Sequence, residues 1–270
     1  MAVSAGGRAR GIAPNPAPPT LCKVRVRFAK RGRLRFSSHR DVARAFERAV
    51  RRAGLPVARS HGFSPHPRLS WVGAAPTGTA SEAEYVEIGL TSPEPPERLV
   101  EDLDAALPAG LDVLAAVRTV PGTPALADLI DASRWRIELP QVPPAELAAA
   151  LRIFLAEESV IVDRATKNGP RPVDVRAAVV SAIASEPAQE PPPESDDLAA
   201  GRTGHPTVPA CAIMTAVVRQ TTPAVRPDDV LGALLVVAGL RPPVPAMAIR
   251  LAQGLLDDRG RLADPFDAEG

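Results

Sequence analysis

The order of strand and helix signals predicts an α+β chain of two tandem ferredoxin-like (βαββαβ) lobes, the second interrupted by a disordered insert. Three observations carry this. Residues 22–122 read strand, helix, strand, strand, helix, strand. The same order begins again near Trp135. Between its later members lies Glu186 to Pro206 (EPAQEPPPESDDLAAGRTGHP), a stretch too poor in apolar residues to build a core. The expected organisation is a tail over 1–21, a first lobe over 22–122, a second over 123–256 with a disordered loop at 186–206, and a C-terminal tail over 257–270.

The elements follow in chain order. Cys22 to Phe28 alternates Val24, Val26 and Phe28 with Lys23, Arg25 and Arg27, a strand with one apolar face and one basic face turned to solvent. Lys30-Arg31-Gly32 is a turn, after which Arg33 to Phe36 resumes the alternation. Ser37 or Ser38 caps a helix with Asp41 in its first turn. On that helix Val42, Phe46, Ala49, Val50 and Ala53 share one side, and Arg40, Arg44, Arg48, Arg51 and Arg52 form a guanidinium ridge on the other. Glu47 and Asp41 can pair with Arg51 and Arg44, but two acids cannot neutralise five arginines. His61 to Pro67 is a loop in which His66 stands between two prolines that restrict its backbone.

Arg68 to Trp71 and Glu84 to Leu90 are strands, Pro96 to Leu107 a helix, Leu111 to Val120 a strand and Ala125 to Ala132 a short connecting helix. In the second lobe Trp135 to Leu139 is a strand and Pro144 to Glu157 a helix. Val160 to Val162 is a buried strand, and Val173 to Ile183 fits either strand or helix. Val208 to Arg219 is a strand, Pro227 to Val237 a helix and Met247 to Leu251 the closing strand.

Charge is distributed unevenly. Residues 21–70 hold 14 Lys and Arg against Asp41 and Glu47, whereas residues 71–270 are acidic, so a formal total of +1 conceals a basic block on an acidic body. The same region, from Gly32 to Trp71, has three of the four histidines and four of the nine aromatics. A block of this kind points to an anionic partner, most economically nucleic acid, unless the acidic body folds back onto it. Arg outnumbers Lys 29 to 3, a skew that matches the Ala- and Pro-rich composition and weakens arguments from Arg identity alone.

Two cysteines, Cys22 and Cys211, are far apart and read as reduced, mostly buried thiols. No CxxC pair or three-cysteine motif is present, so no metal site and no cofactor are expected. Residues 1–20 lack an apolar leader core and no stretch is long enough to span a membrane, which makes a cytoplasmic protein without membrane contact the expectation.

The motif LRFSSHRDVARAFERAVRRAGLPVARSHGFSPHPRLSW resembles that of the radical-SAM-linked domain family of unknown function, DUF2344. So do Pro76-x-Gly78, Ser81-Glu82-x-Glu84-Tyr85, the set Lys167, Asp174 and Arg176, Arg226-Pro227-Asp228 and Arg250-Leu251-Ala252-Gln253-Gly254. The resemblance spans about residues 22 to 256 and is most specific in its first block. It departs from the usual pattern at His61, where Gln is common, at Ser64, where Asn is common, and at Ile249, where Thr is expected. Members are fused behind a radical SAM enzyme domain or stand free, often beside ribonuclease E/G genes. Without the three-cysteine motif this chain resembles the freestanding kind, which does not itself cleave S-adenosylmethionine. The placement of a histidine near the first helix is also similar to that in CRISPR repeat-processing RNA endonucleases, by architecture alone.

The leading functional expectation is an accessory protein that binds RNA and acts with a radical SAM or ribonuclease E/G-type partner. Its contact residues would be Arg33, Arg35, Ser38, His39, Arg40, Arg44, Arg48, Arg51, His61, Phe63, His66 and Arg68. The arginines and the free N–H groups at the helix start would meet phosphates, and Phe63 or Trp71 would stack a base unless they pack in the core. A metal-independent ribonuclease is the alternative, with His39 and His66 as acid and base and Arg40 or Arg44 on the phosphate. A third reading makes the basic block a protein-docking surface without RNA contact. A metal site built from His61, His66 and Asp41 has poor spacing.

Overall fold

The computed structural model describes residues 18–61, 63–167, 169–187 and 210–267. The expected insert from residue 188 onward, and the N-terminal tail up to residue 17, lie outside them. Among the described residues the chain is α+β, with one large, mostly antiparallel sheet and four α-helices.

The first half runs β1 (Cys22–Lys30), α1 (His39–Arg52), β2 (Leu69–Val72), β3 (Ala80–Leu90), α2 (Pro96–Ala106) and β4 (Val113–Arg118). β1 lies between β4 and β3, and β2 pairs with β3, all antiparallel. The second half runs β5 (Ala132–Pro140), α3 (Pro144–Ala156), β6 (Ile161–Thr166), β7 (Gly169–Asp174), β8 (Val179–Ser185), β9 (Cys211–Arg219), α4 (Pro227–Ala238) and β10 (Met247–Leu256). Here the antiparallel order is β10-β5-β9-β8, while β6 and β7 form a separate hairpin. A two-residue strand, β11 (Leu262–Ala263), pairs with the end of β10.

Each half has its own core. Phe28, Phe46, Ile88, Leu99 and Leu103 fill the space between α1, α2 and the first half's strands, and Ile137, Leu147, Leu151, Phe154, Met214 and Leu234 fill that beneath α3 and α4. Trp71 packs edge-on against Phe28 and Phe46, with ring centroids 6.0 and 5.1 Å apart. Its position in the core follows from the alternation that places Leu69 and Trp71 on the helix side of β2.

Several expectations are corrected. Gly32 to Phe36 is a 3-10 helix entered through Gly32 at φ +54°, because four alternating residues do not distinguish a strand from a tight helical turn. The basic side of β1 is only partly open to solvent: Lys23 is exposed and meets Glu87 at 2.7 Å, whereas Arg25 is 1% exposed, donates to Pro124 O at 2.5 Å and pairs with the same Glu87. Arg27 pairs with Asp264 at 2.6 Å. The connecting helix shrinks to a 3-10 turn, Leu126–Leu129. Of Val160 to Val162 only Val160 is buried, in the second core; Ile161 and Val162 begin β6, which is largely exposed and stands off the main sheet. Val173 to Ile183 divides into the end of β7, a 3-10 turn and β8, the strand beside β9. The stretch expected as a C-terminal tail packs back through β11 and sets Phe266 edge-on to Tyr85 at 5.7 Å. A Cβ on Gly254 would lie 1.8 Å from Ala263 O, so only glycine lets this segment close on β10. Cys22 and Cys211 are free and half-buried.

The halves meet where β3 and β10 run parallel, through Ile249↔Ala80 and Arg250↔Ser81. At this seam Arg250 forms a buried ion pair with Glu84, donates to Gln253 Oε1 at 3.0 Å and to Ser81 Oγ at 3.3 Å, and sits 5.4 Å from the Trp135 ring centroid. Gln253 donates to Ala83 O at 2.6 Å, and Glu84 accepts from the Ala75 N–H at 3.1 Å. Lys30, also buried, donates to Ala75 O and Pro76 O at 3.0 and 3.2 Å.

Removing either member of this pair strands the other charge in a dry interior. Arg250→Met and Glu84→Leu should each cost about 3–5 kcal/mol in urea unfolding, and the double variant should cost clearly less than their sum. Additive losses would show that the two are not coupled. Burial holds the Lys30 ammonium below its ordinary 10.5, with Glu84 drawing it back up and Arg250 pressing it down. The unfolded chain therefore binds the extra proton between the lowered value and 10.5, and stability rises with pH in that window. The stability of the unsubstituted chain relative to Lys30→Met should climb as pH is raised toward 10.5; a flat difference would contradict the assignment.

Candidate nucleic-acid interface

α1 takes its form from a three-to-four-residue apolar period. Val42, Ala45, Phe46, Ala49 and Val50 are buried, and Arg40, Arg44, Arg48 and Arg51 stand exposed along the opposite side. Among the described residues no carboxylate lies within ion-pair distance of these four guanidiniums. Glu47 and Asp41 stay out of ion-pair reach of Arg51 and Arg44. The acids of the body reach the cations of β1 and its turn instead: Glu87 meets Lys23 and Arg25, Asp264 meets Arg27, and Glu82 and Asp112 meet Arg31.

The start of α1 is less open to an anion than its sequence implies. Ser38 caps the helix, its Oγ accepting from the Asp41 N–H at 3.3 Å and donating to Asp41 Oδ2 at 2.6 Å, while the Ser38 N–H donates to the same carboxylate at 3.2 Å. The Ser38 bonds, then nearby Arg44 and Arg40, hold the Asp41 carboxyl below its usual range. A phosphate approaching this terminus would meet that negative charge, so the ridge rather than the cap is the better anion surface.

His39 is exposed and lies edge-on to Trp71, with centroids 5.4 Å apart. Arg33 and Arg35 belong to the 3-10 turn just before it, where Arg35 stacks over the exposed Phe36 ring at 4.8 Å and Arg35 O accepts from Gly78 N–H at 2.8 Å. His39 lies at the Lys30 end of the first half, beside Ala74 and Ala75.

The histidine loop hangs at the other end. Val57 and Ala58 join the end of β3 through Leu90 and Gly89, and the Ser60 N–H donates to His66 O at 2.8 Å while His66 N–H donates to Ser60 Oγ at 3.0 Å. This clamp fixes the backbone and leaves the side chains of His61, Phe63 and His66 exposed, Phe63 at 92%. The structure therefore does not bring His39 together with His61 or His66: one lies at the start of α1, the others beyond its C-terminal end. Arg68 falls on the sheet face away from α1, where it lines a cavity with Lys23 and Glu87. In chain order the 3-10 turn leads into His39 and the ridge of α1, the histidine loop follows the helix's C-terminal end, and Arg68 lies on the other face of the sheet.

The site expectation did not include the buried polar residues of the seam, Lys30, Glu84, Arg250 and Gln253. Glu84, Arg250 and Gln253 stand within the motifs of the resemblance, so a signal existed. What the motifs lack is any sign that strands 166 residues apart would meet.

Among curated proteins none matches this chain. A family model described as "Uncharacterized protein conserved in bacteria (DUF2344)" matches residues 23–227, from β1 to the first residue of α4, and so takes in α1, the histidine loop and the seam strand β3. With three quarters of its 270 residues matched, the chain belongs to the DUF2344 family.

Proposed function

We propose that this protein is an RNA-binding accessory protein whose contact surface is the exposed arginine ridge of α1. The observation that carries the reading is selective pairing. Cations of β1 and its turn are neutralised by carboxylates, whereas Arg40, Arg44, Arg48 and Arg51 keep their guanidiniums clear of ion pairs among the described residues. Four such groups along one helix offer bidentate donors to successive phosphates, and Arg33 and Arg35 extend the row at the near end. Phe36 and Phe63, both exposed, are the aromatic faces on which unstacked bases would rest. Trp71 is held in the core and is not needed for this.

The strand orders β4-β1-β3-β2 and β10-β5-β9-β8 support reading the halves as two ferredoxin-like lobes, the second carrying the β6–β7 hairpin between its first helix and second strand. By resemblance alone, the protein would act beside a radical SAM or ribonuclease E/G-type partner that supplies the chemistry. The separation of His39 from His61 and His66 favours binding over strand cleavage.

With four phosphates engaged on single-stranded RNA, log K should fall against log salt with a slope of about −3. The double variant Arg44→Glu/Arg48→Glu should weaken binding at least tenfold at low salt and flatten that slope, with an unchanged unfolding midpoint. A filter-binding titration insensitive to salt, or to this double variant, would remove the ridge from the account.

A further inference from the structure

Where the two halves meet, the seam opens into a cleft of about 280 Å³, near the lower end of the roughly 300–1,000 Å³ of small-molecule sites. The Gly73–Pro76 segment borders it from the first half; the ends of β5, β9 and β10 and the loop before α4 border it from the second. Three arginines line it, Arg219, Arg226 and Arg250, and no carboxylate does among the described residues. Their charges are unequally compensated. Arg250 is buried against Glu84, Arg219 has Asp131 only at 4.0 Å, and Arg226 has no carboxylate within ion-pair distance among the described residues. The N-terminal turn of α4 is not part of this argument, since the Asp229 carboxylate already takes the Arg226 N–H at 2.7 Å and the Arg164 guanidinium.

The cleft is built rather than incidental. Arg164 donates to Ala224 O at 2.7 Å and pins the loop that presents Arg226. On the opposite wall Lys30 donates to Pro76 O, and Lys30 and Glu84 both bind the backbone of the adjoining Ala75. Between the walls Gly73, at φ +56°, comes so close that an added Cβ would lie 2.6 Å from Gln253 Oε1 and 3.5 Å from Gln220 Nε2. Two exposed guanidiniums facing one partly enclosed space repel each other unless an anion with several acceptor oxygens lies between them.

We propose that this cleft binds a phosphate monoester of nucleotide kind, either a free mononucleotide or the phosphorylated 5′ end of an RNA strand. The inference does not rest on RNA binding by α1, because the cleft is lined by none of the ridge residues. Arg219 and Arg226 are the direct phosphate ligands. Arg250, neutralised by Glu84 and hydrogen-bonded to Gln253, is a positioning residue that fixes the inner wall.

Isothermal titration calorimetry on the full chain tests this with adenosine, adenosine 5′-monophosphate, and one short RNA with either a 5′-phosphate or a 5′-hydroxyl. The monophosphate should bind where adenosine does not, or the 5′-phosphorylated RNA should bind more tightly than its 5′-hydroxyl twin. The first result identifies a free nucleotide and the second a strand end. Arg226→Ala and Arg219→Ala, both exposed positions, should each weaken the phosphate-dependent binding about 10–100-fold with unchanged thermal unfolding. Arg44→Glu/Arg48→Glu should leave the monophosphate affinity intact, which separates failure of this site from failure of the ridge. No phosphate-dependent difference in either pair would overturn the proposal.

Discussion

The architecture depends on one buried ion pair. Glu84 belongs to β3 of the first half and Arg250 to β10 of the second, and both are nearly sealed from water, at 5% and 3% exposed. Their strands share only two parallel residue pairs, too short a ladder to set the relation of two cores by backbone bonding alone. A buried charge cannot remain without its partner, so the pair admits one arrangement of the halves. Such pairs contribute little net stability, and their effect here is orientation. Through Ala75 and Lys30 the same network holds the segment that runs between the start of α1 and the cleft.

Charge placement follows from that arrangement. Glu87 lies across from Arg25 in the β1–β3 register, and the returning C-terminal segment brings Asp264 to Arg27. These pairs are local and partly buried, so they screen β1 closely and do nothing for α1, whose ridge points away from the sheet. A formal charge of +1 thus coexists with a strongly cationic surface, since beyond about 8 Å at physiological salt the acidic body is screened from the ridge.

How much of this was legible depended on the range of the interaction. α1 was readable because its apolar and basic residues repeat with the helical period over fourteen positions, and the cap at Ser38 follows from Ser-x-x-Asp. Most of the order of strands and helices was readable for the same local reason, the 3-10 turn at Gly32–Phe36 and the β6–β7 hairpin excepted. β1 was recognisable as a strand, but alternation says only that two faces differ. It does not say that Pro124 and Asp264, about 100 and 240 positions away, will cover the second face. β7 was obscured by Pro170 and Pro172, which a two-stranded hairpin tolerates where a central strand would not. The histidines clustered in sequence, yet α1 and β2 carry His39 and the 60–66 loop to opposite ends of the helix, which is a property of topology. The cleft arginines come from three separate segments, and nothing in their spacing announces a common space.

The central claim is that RNA lies along the outer face of α1. Ultraviolet crosslinking of the purified full chain to a mixed-sequence RNA, with mass spectrometric localisation of the adducts, addresses it most directly. The account predicts adducts concentrated between residues 33 and 48 and at Phe63, with none on the exposed helix faces of α3 and α4. Adducts confined to the second half, or spread evenly over the surface, would contradict it.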